Sequence, residues 1–169
     1  HRFACGVDIV GPSNLQTLLG TIPPYWKSFF ETFARHLGDP RTQEGRALLQ
    51  DRSPLNRVDA ISRPLLIGQG ANDPRVKQSE SDQIVEVMTR KKLPVTFVLF
   101  PDEGHGFARP QNRLAFFGIT EGFLHTCLGG RFQPLGNALA GSSTQVPAGA
   151  DIVPGLSAAL EGFEPTVLK

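Results

Sequence analysis

The run Pro101-Asp102-Glu103-Gly104-His105-Gly106-Phe107 follows directly on the β-prone stretch Val95 to Phe100, so a glycine-flanked histidine stands just past a strand's carboxyl end. An imidazole held there can take a proton as a general base. The apolar run Pro64-Leu65-Leu66-Ile67-Gly68-Gln69-Gly70 delivers Asp73 to the same position relative to its own strand. A carboxylate beside an imidazole fixes its tautomer and stabilises the imidazolium, the two services an acid–base pair needs to activate a hydroxyl nucleophile. Parallel strands put their carboxyl ends on one side, so loops far apart in sequence converge there. No serine sits in a Gly-x-Ser-x-Gly turn upstream of Asp73, so the pair has no visible nucleophile. The plainer alternative is that Asp73 caps the following helix and His105 lies on a surface turn.

Arg75, two residues after Asp73, can donate a fork of hydrogen bonds to a peptide carbonyl or carboxylate, or can be a solvated arginine at a helix start. Tyr25 and Trp26 follow Pro23-Pro24. They are either an aromatic wall over the site or core residues.

Ala4 to Val10 reads as a strand closed by the turn residues Gly11-Pro12-Ser13-Asn14. Pro23-Pro24 opens a predicted helix whose Trp26, Phe29, Phe30, Phe33 and Leu37 fall at spacings of 3, 4, 7 and 11, a buried face. Gly38-Asp39-Pro40 stops it, and Thr42 with Glu44 starts another helix ending near Leu49-Gln50. Leu65 to Gly68 is apolar without alternation, as a parallel strand covered on both faces requires. Helices over about 77–92 and 112–128 flank the strand Val95 to Phe100. The βαβαβα order predicts three parallel strands with crossover helices, because such strands cannot pair as hairpins. From Leu135 the composition turns to Gly, Ala, Ser and Pro, so 135–169 reads as an extended tail without a core pattern.

With 169 residues, 40% apolar, the chain has enough material for one buried core. A net charge of +1 with Lys and Arg dispersed leaves no basic stripe for nucleic acid. No stretch approaches the roughly 18 apolar residues of a membrane span. The first residues hold no apolar targeting core and run at once into a strand, so the chain reads as beginning inside a fold and the compartment stays open. Cys5 and Cys127 form no Cys-x-x-Cys and read as buried free thiols. The histidines show no metal-ligand spacing, and no cofactor is implied. Gly68-Gln69-Gly70 lacks the third glycine of a dinucleotide loop, and Gly155-Leu156-Ser157-Ala158-Ala159 lacks the last glycine of a nucleophile turn.

Four segments carry a resemblance. Gly6-Val7-Asp8-Ile9-Val10-Gly11-Pro12-Ser13-Asn14-Leu15, Ile22-Pro23-Pro24-Tyr25-Trp26, Gly70-Ala71-Asn72-Asp73-Pro74-Arg75-Val76 and Asp102-Glu103-Gly104-His105-Gly106-Phe107 look like the carboxyl-terminal half of prolyl-oligopeptidase-family serine peptidases. The likeness is to acylaminoacyl-peptidase and dipeptidyl-peptidase types and spans about residues 1–134. It implies the C-terminal part of an α/β-hydrolase catalytic domain that normally follows a β-propeller, with the nucleophile-bearing half absent. Asp73 and His105 match the acid and base, Arg75 a substrate-backbone ligand, Val76 a pocket residue and Tyr25 and Trp26 the aromatic pocket. The expected function is hydrolysis of short peptides by a Ser-Asp-His triad whose serine comes from an upstream segment, this piece alone being inert. The first strand's outer edge would then be exposed. A carboxylesterase and a non-catalytic hydrolase-like module are the alternatives.

Overall fold

The computed structural model describes residues 2–168, and His1 and Lys169, the outermost residues of the stretches read above, lie outside them. Four strands form one sheet in the order β1 (Gly6–Ile9), β2 (Leu65–Gly70), β3 (Val95–Phe100) and β4 (Gln145–Ala148). The first three are parallel, as the alternation of elements predicts, and β4 runs antiparallel to β3. Between β1 and β2 lie α1 (Leu15–Gly20), α2 (Phe30–Leu37) and α3 (Gln43–Arg52). The helix α4 (Gln78–Arg90) joins β2 to β3, α5 (Pro110–Leu128) follows β3, and the short α6 (Leu156–Leu160) comes last. Side-chain caps mark two of the helix starts. Asn14 accepts from the Gln16 N–H, and Thr42 from that of Gly45. No described helix is long and apolar enough to cross a membrane.

Successive strand residues face opposite sides of a sheet, so β3, buried along its whole length, feeds two cores. Val98 and Phe100 join Leu66 of β2 against Phe116, Ile119 and Phe123 of α5. Phe97 and Leu99 join Ile67 against Ile84, Val85 and Met88 of α4. The unbroken apolar runs of β2 and β3 are thus the mark of a sheet covered on both faces.

Three expectations are corrected. The segment from Leu135 is not an extended tail without a core pattern. It contributes Leu135, Leu139, Val153 and Leu156 to the α5-side core and β4 to the sheet. Its apolar residues are placed by glycine-directed turns instead of by a helical or strand period. Gly149 has a φ of 67°, and a Cβ there would stand 1.9 Å from the Val95 carbonyl oxygen.

The stripe from Trp26 to Leu37 is not a buried face. A 3₁₀ segment over Pro24–Phe29 precedes α2, and its three-residue turn breaks the line of the stripe. Phe29 is left 55% exposed, while Trp26, Phe33 and Leu37 close half-buried around Leu18, Leu19 and Ile22.

The cysteines are not free. Cys5, just before edge strand β1, and Cys127, in the last turn of α5, form a disulfide with their Cα atoms 6.1 Å apart, well inside the bridging range. A sequence separation of 122 residues hid the pairing.

Closing so long a loop restricts the unfolded chain strongly. Replacing both cysteines by alanine is expected to lower the unfolding free energy by about 2–5 kcal/mol. Urea titration with and without a reductant checks this, and the unsubstituted protein under reductant should fall to the variant's midpoint.

Candidate active site

The β2–β3 register runs from Leu65 opposite Val95 to Gly70 opposite Phe100, so both strands end level and release their loops side by side. Backbone bonds then stitch the two loops together. Ala71 N–H donates to the Phe100 carbonyl at 3.0 Å and Asn72 N–H to that of Glu103 at 2.9 Å. The Asn72 side chain donates to the Pro101 carbonyl at 2.8 Å. Gly70 allows this approach, since a Cβ there would lie 2.3 Å from the Gly104 oxygen and 2.6 Å from Glu103 backbone atoms.

His105 Nδ1 lies 2.8 Å from Asp73 Oδ2. The Asp73 side chain is wholly buried, and that of His105 is 30% exposed. Asp73 Oδ1 accepts from the backbone N–H groups of Arg75 at 2.8 Å and Val76 at 3.0 Å. One carboxylate oxygen therefore closes its own turn while the other faces the imidazole, and the following helix α4 takes no side-chain cap from Asp73. With Nδ1–H given to Asp73, Nε2 keeps its lone pair and is the atom free to take a proton.

Buried Gln69 braces the acid loop from beneath. Its amide donates to the carbonyls of Gly70 and Val76, and it accepts from Ser81 of α4. Val76 is only 6% exposed, so its side chain packs inward. The Arg75 guanidinium stands 5.8 Å over the Trp26 ring, and Tyr25 meets Trp26 edge to face at 6.3 Å. The structure thus brings Arg75 and Trp26 together beside the acid loop, with Tyr25 half in solvent at 56% exposure. The segment carrying these aromatics is fastened by Glu80 of α4, whose carboxylate accepts from Ser13 N–H, Asn14 N–H and Thr17.

Sequence reasoning missed the acids on either side of the histidine turn's entry. Glu103 is buried and accepts from Ala108 N–H, Arg109 N–H and the Asn112 side chain. Asp102 bonds Arg109, Asn112, Ser143 and the Leu168 N–H. Burial pushes the Asp102 carboxyl up, but the Leu168, Ser143 and Asn112 bonds and the Arg109 charge outweigh it and hold it below the usual range. The one signal available was two acids before a histidine and ahead of a proline-started helix.

The sequence profile described as the prolyl oligopeptidase family matches residues 1–131. Dipeptidyl aminopeptidase BIII of Pseudoxanthomonas mexicana is 66% identical over 167 residues, which is 99% of this chain and 24% of that protein. Dipeptidyl peptidase family member 6 of Caenorhabditis elegans is 55% identical over 135 residues, 79% of this chain and 18% of that protein. The chain spans under a quarter of the length of these curated relatives. Among solved structures, a Mycobacterium tuberculosis puromycin-hydrolyzing peptidase superposes with a TM-score of 0.68 at 28% identity, covering 78% of this chain and 19% of that one.

A carboxyl held low in the folded state adds stability above its unfolded value, about 3.9. That stability is lost as pH falls through the folded one. Asp102→Asn should lower the melting temperature at neutral pH, and the gap from the unsubstituted protein should close below about pH 4. Calorimetry across that range checks it; a constant gap would remove the Asp102 charge from the account.

Proposed function

The chain belongs to the prolyl oligopeptidase family, and we propose that it is the acid- and base-bearing part of a serine peptidase's catalytic domain. The observation that carries this reading is the 2.8 Å approach of His105 Nδ1 to buried Asp73 at the carboxyl edge of parallel strands. The names of the similar dipeptidyl peptidases favour short peptides as substrates.

In this reading a serine hydroxyl, supplied by a segment outside the 169 residues, attacks the scissile carbonyl while His105 Nε2 takes its proton. Asp73 holds the imidazole in the required tautomer and stabilises the imidazolium. The same proton then passes to the leaving amine, and a water molecule repeats the sequence to free the acyl group. The oxyanion donors come from outside the chain as well, so these residues alone form no acyl-enzyme. Two observations favour that division: no Gly-x-Ser-x-Gly occurs in the sequence, and β1 lies at the sheet edge with Val7 and Ile9 exposed at 37% and 45%. A β-propeller elsewhere in the whole protein belongs to the same proposal. Arg75, steadied over Trp26, donates to a substrate carbonyl or carboxylate, with Tyr25 as the outer aromatic wall and Val76 packed behind the acid turn.

In the whole protein, Asp73→Asn should lower kcat by about 10⁴ by admitting the wrong tautomer; steady-state kinetics that leave kcat intact would remove Asp73 from the mechanism. A fluorophosphonate should label one serine outside this chain, and absence of labelling would favour a non-catalytic module. Arg75→Ala should cost peptide turnover far more than turnover of a simple activated ester. Equal losses on the two substrates would point to an esterase instead.

A further inference from the structure

We propose that Glu103 is a positioning residue that sets the separation of Asp73 and His105; the inference rests on the acid–base reading of that pair. Glu103 stands two residues before His105 and is 3% exposed. Its carboxylate reaches past the histidine to the other end of the same turn, with Oε2 accepting from Ala108 N–H at 2.8 Å and Oε1 from Arg109 N–H at 2.9 Å. The turn 104–107 is therefore closed by a side chain, with the histidine inside the ring. Asn112 of α5 donates to the same Oε1 at 2.8 Å and ties the ring to the helix.

The main chain of Glu103 faces the acid. Its carbonyl accepts from Asn72 N–H at 2.9 Å, one residue before Asp73, and its own N–H donates to the Phe100 carbonyl at 3.2 Å. One residue thus grips the acid loop through its backbone and the base turn through its side chain. Phe107, its ring centroid 4.6 Å from that of Phe100 in a tilted pair and 4.9 Å from that of Phe116 edge to face, holds the turn's apolar side but makes no bond to the acid loop. A shift of the imidazole by even an ångström weakens both its bond to Asp73 and its line to a nucleophile.

Glu103→Gln keeps the Oε1 acceptor and turns an amide NH₂ toward Ala108 N–H; Glu103→Ala removes every acceptor. In the whole protein, kcat should fall by about 10- to 100-fold, more in the alanine variant, with KM unchanged. The downfield Nδ1–H proton resonance of His105 should broaden or vanish in the same order. Exposed Glu86, replaced by glutamine, serves as the neutral control. Should the alanine variant not fold, the near-isosteric glutamine variant carries the test alone. Unchanged kcat and an unchanged Nδ1–H resonance in Glu103→Gln would overturn the inference, as would a change confined to KM. If the unsubstituted protein shows no serine-hydrolase activity, the functional reading fails by itself, and the resonance still decides whether Glu103 holds the pair.

Discussion

The parallel pairing of β2 with β3, unbroken from Leu65 opposite Val95 to Gly70 opposite Phe100, is the constraint from which the rest follows. A slip of one residue would displace one strand end by about 3.3 Å. It would also exchange the α4-facing and α5-facing residues of that strand, sending Phe97 and Val98 to the wrong cores. Truncating a single buried phenylalanine costs about 3–5 kcal/mol. The apolar cores therefore hold the register, and the register starts both loops level. Only then do short local bonds suffice to bring a carboxylate and an imidazole within 2.8 Å.

Polar groups do the finer work, and their burial is what gives it rigidity. Asp73, Glu103, Glu80, Gln69 and Asn112 are all buried, and among the described residues no buried side-chain nitrogen or oxygen lacks a hydrogen-bond partner. Each network joins two elements: Gln69 ties strand to helix, Glu80 ties the segment after β1 to α4, and the Glu103 carboxylate ties the base turn to Asn112 of α5. Left unpaired, any of these groups would carry its desolvation cost with nothing to offset it. The exposed pair of Arg90 with Glu86 has no such leverage, because solvent screens it and either side chain can move away.

The parallel core was legible in the sequence because Leu65–Gly68 and Val95–Phe100 are apolar without alternation, and only a doubly covered strand tolerates that. The proximity of Asp73 to His105 was legible for the same reason, since both follow predicted strand ends. What escaped reading depends on encounters between distant residues. Leu135, Leu139, Val153 and Leu156 have no common period, so their shared destination is set by turns and by α5. Glu103 accepts from the N–H groups of Ala108 and Arg109, five and six residues on, outside the local spacing of any capping box. Trp26 through Leu37 carried a helical rhythm that a 3₁₀ segment interrupts, and nothing in those residues marks where the tighter winding begins.

The Cys5–Cys127 bond gives the chain a mechanical property that the noncovalent fold lacks. Nearly all of the sheet and both candidate site loops lie within the ring it closes. An unfoldase drawing the polypeptide through a narrow pore from either end would meet a covalent knot at the edge of β1 or the end of α5. It would then have to thread two strands at once or wait for the bond to be reduced. The ring thus makes the chain's resistance to forced degradation a matter of thiol chemistry as well as of folding energy.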